Sequence, residues 1–205
     1  MSGWATLAGA GAVVYAARKG ASTFTDWRQQ KVDERQVEAA ERIVTLAYRL
    51  RSIFTSVRSR AIFSHEADAA ERLLDIEQPE WRNREKASLE RLRSAQVLYN
   101  RLKEHQSDWN EIWTLRPIAL ALFGVSLEAD LQMLWKQYVS LDVAVSEYAE
   151  DGTLDRELVR SMRAEMYGGK EDAITTNVDA AIASIEAILL PVLRRSSTAV
   201  AEREA

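Results

Sequence analysis

The sequence of 205 residues contains no cysteine, which excludes a disulfide scaffold, a thiolate nucleophile and every zinc site built on cysteine. Proline and glycine are scarce, with 3 and 8 copies. Turn-forming residues are therefore too few for a many-stranded sheet, and their scarcity favours long helices. The formal net charge is −4. An acidic balance argues against nucleic-acid binding, because domains that bind nucleic acid are usually basic.

What the chain does contain is typical of one folded domain. Apolar residues make up 47% of the sequence and charged residues 28%, and the length suits a single hydrophobic core. The charges are unevenly placed, with 8 basic and 15 acidic side chains in residues 124–205. Basic residues instead dominate the N-terminal end, next to the longest uncharged run.

That uncharged run covers residues 3–17, GWATLAGAGAVVYAA. As a helix it would span roughly 22 Å, somewhat less than the ~30 Å hydrocarbon core of a bilayer. Aromatic residues lie near both of its ends, and two basic residues with long stems follow it directly and can extend the span by reaching the interface. We therefore predict an N-terminal membrane anchor that contacts lipid through Trp4, Leu7, Val13, Val14, Tyr15, Arg18 and Lys19.

The order of charge and hydrophobicity predicts the orientation of this anchor. A cleaved signal peptide has its positive charge before the apolar run, whereas here Arg18 and Lys19 come after it. The positive-inside tendency then places residues 18–205 in the cytoplasm. The expected location is the bacterial inner membrane, crossed once.

The rest of the chain repeats one pattern four times. Apolar residues recur at alternating intervals of three and four, a period near 3.5 that indicates helices packed at shallow angles, as in coiled coils. The four stripes begin near Trp27, after Pro79, near Leu127 and near Ile174, and the second of them includes Tyr99 and Trp113. The predicted fold is all-α: an N-terminal hydrophobic helix followed by an up-and-down four-helix bundle. The predicted units are an anchor at 1–25, a bundle at 26–195 and a flexible tail at 196–205.

Proline and glycine predict where these helices begin and end. Pro79 suits a helix start, and Arg116-Pro117 should end or kink the second helix. Gly124 resembles a helix stop. The polar stretch 64–79 reads as a partly helical connector, and 153–167 as a short amphipathic helix.

No arrangement of reactive side chains stands out. His65 and His105 are the only histidines, and the Glu-x-x-His pattern of di-iron bundles is missing. Asp142 comes nearest to a buried acid, since it flanks the third stripe. We predict no catalytic residue, no cofactor, no metal site and no enzymatic activity.

Two features of the surface remain open to a partner. Arg28, Arg35, Arg42 and Arg49 recur every seven residues, either as a solvated helix face or as a basic ridge facing anionic lipid or an acidic partner. Trp27, Arg28 and Trp81 are the candidate interface residues, because amphipathic rings suit half-wet surfaces.

Short segments of the chain resemble a widespread group of uncharacterised bacterial proteins that have a hydrophobic N-terminus and a helical cytoplasmic region. The resemblance is carried by AERIVTLAY at 40–48 with residues 53–59, by Leu115-Arg116-Pro117 with Phe123-Gly124, and by IEAI at 185–188 before Pro191-Val192-Leu193. It implies the same architecture and no activity, cofactor or catalytic residue.

The expected function is a non-catalytic interaction or scaffolding module held at the inner face of the membrane. Its expected partners are membrane lipid, through the N-terminal helix, and an unidentified protein, with a second copy of the chain as one option. The alternative is a soluble or peripheral regulatory bundle, such as a phage- or defence-associated component, whose N-terminal helix packs on a partner.

Overall fold

A computed structural model describes the backbone of residues 3–150, 156–168 and 172–204, the side chain of Phe24, and most side chains from Trp27 to Arg195 within those ranges. Every regular element in them is helical, which confirms the all-α class. The elements are α1 (Gly3–Val57), α2 (Ser64–Glu77), a 3-10 helix (Trp81–Asn83), α3 (Lys86–Glu104), α4 (Gln106–Phe123), α5 (Val125–Ala149), α6 (Arg156–Tyr167) and α7 (Ala173–Glu204).

The main core lies where α1, α4, α5 and α7 pack together. Helix α1 packs on α4 and α7, and α5 packs on the same two helices, so each of the four contacts two others. Helix α3 adds to this core by packing on α5, while α2 packs on α3 and α6 on α5. The residues at the centre are fully buried and come from the predicted stripes, among them Ile43, Leu50, Leu131, Leu141 and Ile185.

The first helix is continuous across the boundary that we predicted at residue 25. It runs without a break for 55 residues, which corresponds to about 80 Å. Among the side chains of α1 that the structure describes, the buried ones begin at Ala39 and Ala40 and continue to Val57. The C-terminal half of α1 is therefore a core helix, whereas residues 27–35 are exposed on every face.

The second predicted helix is two helices, which corrects its stripe. The chain turns at His105, whose backbone (φ −100°, ψ 18°) ends α3 and begins α4. The turn changes the register of the buried face, so Trp113 is about half exposed, although the pattern predicted it in the core. Tyr99, also predicted in the core, is about half exposed because its neighbour Leu98 takes the buried position of α3. The buried face of α4 instead consists of Trp109, Ile112, Leu115 and Ala119.

Pro117 lies inside α4, so of the two predicted effects, an end or a kink of the helix, the end does not occur. The helix continues to Phe123 and ends at Gly124, which has a φ of +93° and forms the junction with α5. Glycine adopts this conformation without the steric cost that a Cβ would add. The glycine thus sets the boundary, as the sequence indicated, and the proline does not.

The connecting segments are more helical than we expected. The stretch predicted as a partly helical connector contains α2, whose Leu74 packs with Trp81 and Leu92 in a second, smaller core. The short amphipathic helix is α6, with Met162 buried. The backbone of α7 is helical as far as Glu204, so most of the predicted tail at 196–205 continues this helix.

Candidate functional site

The exposed part of α1 that precedes the bundle is the strongest candidate for an interaction surface. We call residues 24–38 the stem. Within it the side chains of Phe24, Trp27 and Val32 are 63%, 55% and 39% exposed, although all three are apolar. Burial begins immediately after the stem, at Ala39. Because these apolar side chains are exposed to water and are not packed in the core, their surface is available to a partner.

Side-chain bonds along the stem support its helix in place of tertiary packing. Gln29 Nε2 donates to Asp33 Oδ1 at 2.9 Å, and Gln30 Nε2 donates to Glu34 Oε1 at 3.2 Å. Lys31 Nζ lies 2.6 Å from Glu34 Oε2 and lowers the pKa of that carboxyl. Pairs spaced three or four residues apart each stabilise a helix slightly, so the polar stem can remain helical in water.

An aromatic pair marks the beginning of the described stem surface. The rings of Phe24 and Trp27 lie 6.1 Å apart, and Arg28 follows them, also exposed. Trp27 and Arg28 are thus accessible, as a role at an interface requires. Phe24 was not among the predicted interface residues. Its position three residues before Trp27, at the end of an uncharged segment, is the sequence signal that identifies the pair.

The predicted anchor lies in the N-terminal part of α1. Its backbone is helical from Gly3 onwards. The side chains of Trp4, Leu7, Val13, Val14, Tyr15, Arg18 and Lys19 lie outside the described residues. The anchor and its contacts with lipid therefore stay a prediction.

Among the described residues, one helix is long and apolar enough to cross a membrane, and it is at the C-terminal end of the chain. This segment of α7 covers Ala173–Arg195. Length and composition alone are weak support for a span, because the core helix of a soluble protein meets the same criteria. Ile174, Val178, Ile185 and Leu189 of this segment are buried in the main core. Their burial accounts for part of the apolar character of α7 without a membrane, since 28% of its most apolar window is buried.

Trp81 is a packing residue, which corrects its assignment to an interface. Its side chain is only 4% exposed, and it packs with Leu74 and Leu92. Its indole nitrogen Nε1 donates to Asp75 Oδ1 at 2.8 Å, so the polar edge of the ring is satisfied within the protein. The pocket for the ring exists because α2 is a helix, whereas the sequence predicted only a partly helical connector there.

The four arginines spaced by seven are exposed along α1, yet two of them bind a neighbouring helix. Arg42 Nη2 lies 3.0 Å from Glu111 of α4, and Arg49 Nη1 lies 2.9 Å from Asp108 of the same helix. Arg28 and Arg35 belong to the stem and are exposed. The row therefore serves partly to pair α1 with α4, and only its N-terminal members remain open to lipid or to a partner.

No group of three or more potential metal ligands converges in the described part of the chain. His65 is exposed and stacks on Phe63, while Nδ1 of His105 lies 3.6 Å from Asp108. Burial raises the pKa of Asp142. Burial and, after it, the charge of Asp142 raise the pKa of the nearby Tyr138.

Comparison with known proteins adds no assignment: no protein-family model, curated protein or solved structure matches the chain. The stem and the packing of the bundle are therefore the features that bear on function.

Proposed function

We propose that the chain is a membrane-tethered interaction module, in which the N-terminal part of α1 anchors the protein and the stem holds the helical bundle in the cytoplasm. The observation that carries this proposal is the continuity of α1, which joins the uncharged residues 3–17 to the core of the bundle in a single helix. A rigid connection of this kind transmits position, which a flexible linker does not.

The lengths along α1 fit this arrangement. The uncharged run corresponds to roughly 22 Å, and snorkelling of Arg18 and Lys19 extends its effective reach toward the ~30 Å hydrocarbon core. From Lys19 to Ala39, where burial begins, the helix rises about 30 Å. The bundle would therefore stand clear of the headgroups, and the stem would be accessible to a second protein near the membrane surface.

The exposed aromatic pair supports an interaction role for the stem. Phe24 and Trp27 present a large apolar area beside the positive charge of Arg28, a combination that is enriched at protein interfaces. No catalytic role is proposed. The partner would be a protein that offers an apolar surface close to the bilayer, with a second copy of the chain as one option.

Membrane attachment is tested by extracting membranes with alkaline carbonate. We expect the native chain to stay in the membrane pellet and the double variant Val13→Arg with Val14→Arg to move to the soluble fraction. An arginine near the centre of a spanning helix costs about 2.5–3.5 kcal/mol on insertion scales. The matched control Val32→Arg adds a charge in the stem, beyond the anchor, and should stay in the pellet.

Full recovery of the native chain in the soluble fraction would refute the anchor and favour the alternative, a soluble or peripheral regulatory bundle. Orientation is tested with a C-terminal tag, which protease should cleave only from the cytoplasmic side. Cleavage from the other side would contradict the single-pass orientation proposed here.

The interaction surface is tested by placing a photo-crosslinking residue at Trp27 in cells. A matched control position is Leu158 of α6, which is exposed to a similar extent, 46% against 55%. We expect a discrete crosslinked product from position 27 and none from position 158. Equal crosslinking at both positions would show that the stem has no special role as an interface.

A further inference from the structure

Five arginines with described side chains lie at the end of the bundle that is formed by the C-terminus of α1, by α3 and by α6, and they are in two different states. Two of them are largely buried and ion-paired: Arg58 with Asp172 at 2.7 Å, and Arg101 with Glu66 at 2.7 Å. The other three are Arg60, Arg160 and Arg163, which line a cleft of about 510 Å³. This difference in pairing separates structural arginines from arginines that remain available.

The three cleft arginines have no carboxylate partner among the residues that the structure describes. All three are exposed. Arg163 Nε donates to Tyr148 Oη at 2.9 Å, which holds this side chain at the cleft wall and leaves both terminal nitrogens of its guanidinium for another acceptor. Because three like charges repel one another, a multiply charged anion in the cleft would relieve an unfavourable arrangement.

The remaining wall of the cleft provides neutral hydrogen-bonding groups. Tyr148, Tyr167 and Ser94 lie in the lining together with Ala164. Burial raises the pKa of Tyr167, so its phenol stays protonated at neutral pH, and its hydroxyl is hydrogen-bonded to Ser94, whose own proton goes to the carbonyl oxygen of Glu90 at 2.7 Å. The hydroxyl of Tyr148 accepts a bond from Arg163 and keeps its own proton for donation. Charged guanidinium donors beside neutral hydroxyl donors form a typical binding environment for phosphate oxygens.

We propose that this cleft, between Arg60, Arg160 and Arg163, binds the phosphate group of a small organic phosphate. Its volume lies within the usual range for small-molecule sites, about 300–1,000 Å³. A planar guanidinium can bind two phosphate oxygens at once. A surface cleft without such donors does not offer this bidentate contact.

The position of the cleft favours a soluble ligand over a lipid headgroup. Arg60 follows the C-terminal end of α1, whereas the predicted anchor is at the N-terminal end, and from residue 17 to residue 57 the helix rises about 60 Å. A headgroup in the anchoring membrane would not reach that far. This choice of source rests on the proposed anchor, whereas binding of phosphate by the cleft does not.

The test uses the full chain in neutral detergent and inorganic pyrophosphate as the probe, with calorimetry in a chloride buffer of low ionic strength. We expect saturable binding at one site that weakens as salt is added, since exposed charges are screened. Arg160→Gln and Arg163→Gln should each weaken binding about tenfold, because each removes a charged hydrogen-bond donor. Arg35→Gln changes the net charge equally on the distant stem and should have no effect.

Three results would overturn the proposal: no saturable binding, equal weakening by Arg35→Gln, or unchanged binding by the two cleft variants with an intact helical circular dichroism signal.

The source of the phosphate is tested with chain reconstituted in nanodiscs of phosphatidylcholine, with or without phosphatidic acid. Unchanged affinity for pyrophosphate supports a soluble ligand. If phosphatidic acid weakens pyrophosphate binding to the native chain but not to Arg160→Gln, the cleft binds lipid and the proposal of a soluble ligand is refuted. Because binding in detergent needs no insertion, failure of the anchor would leave this result intact.

Discussion

Arg58 connects the ends of three helices, and its replacement by methionine measures how strongly that connection stabilises the bundle. The side chain follows the last residue of α1 and is 5% exposed. Its Nε donates to the carbonyl oxygen of Glu165 at 2.8 Å, near the C-terminal end of α6. Its Nη2 donates to Asp172 Oδ1 at 2.7 Å, at the N-terminus of α7, and its Nη1 donates to Thr175 Oγ1 at 3.0 Å.

Both helix ends gain from this one cation. A positive charge is favourable at the C-terminus of α6, where backbone carbonyls lack partners within the helix. Asp172 caps α7, because its Oδ1 also accepts the backbone N–H of Thr175 at 2.9 Å. Gly168, with φ +61°, ends α6 so close that a Cβ there would lie 3.4 Å from the Arg58 guanidinium carbon. That separation is an ordinary van der Waals contact, so a larger residue at Gly168 would be disfavoured by the positive φ and not by a clash.

The expected cost of Arg58→Met is about 3 kcal/mol of unfolding free energy. Removing one partner of a buried ion pair typically costs about 3–5 kcal/mol. The lower end of this range applies, because Asp172 retains its bonds to Thr175 and methionine preserves most of the apolar part of the arginine side chain. Asp172→Asn should be less costly, and the double variant should cost less than the sum of the two, with a coupling of about 1–3 kcal/mol.

The assay is urea unfolding of the full chain in mild detergent, followed by helical circular dichroism. Arg51→Met is the matched control, because Arg51 pairs with Asp179 at a similar distance, 2.9 Å, but both side chains are about half exposed. Such surface pairs contribute at most about 1 kcal/mol. A loss for Arg58→Met within 1 kcal/mol of the Arg51→Met value would refute the assignment of a stabilising role to Arg58.

Three further outcomes follow from the same structure and are checked by the same unfolding assay. The hydrogen bonds from Arg101 lower the pKa of Glu66 from 4.5 to about 2. The contribution of this carboxylate to stability is therefore complete above pH 4.5 and is lost as the pH falls toward 2. The stability difference between native and Glu66→Gln chains should shrink across that window, and a constant difference would contradict this prediction. Gly124→Ala should destabilise by about 1–3 kcal/mol although no atom lies within 4 Å of the added Cβ, because the cost arises from φ +93°, and a neutral effect would refute the backbone argument. Leu131→Ala, at a fully buried position, should cost about 2–5 kcal/mol, whereas Leu120→Ala, at a position 48% exposed, should change stability by about 0.5 kcal/mol or less; equal costs would place Leu131 outside the core.

Sequence periodicity predicted the helices well where a helix presents a single face to the core. Residues 40–57 of α1 and the stripes of α5 and α7 are buried largely as their spacing indicates, for example Leu131 and Ile185. Prediction failed where the chain changes direction without a strong signal. The turn at His105 contains no proline or glycine, so two helices read as one, while Pro117 was tolerated within a helix.

Side-chain roles at the candidate sites divide in the same way. Exposure of Trp27 and Arg28 follows from the polar surroundings of the stem and was predictable from local sequence. Burial of Trp81 depends on Leu74 of α2 and Leu92 of α3, which form its pocket only when the two flanking helices pack together. The same holds for Arg60 and Arg163, which are 103 positions apart in the sequence and meet at one cleft.

The sequence by itself determined that this protein is helical, which faces of α1, α5 and α7 are apolar, and that its reactive residues are few, because helix periodicity and composition are local properties. The tertiary structure alone decided which arginines are paired and which face a cleft, and which tryptophans are buried. The reason is that the pairing of charges and the burial of rings depend on distances between helices, and these distances result from packing the whole core at once.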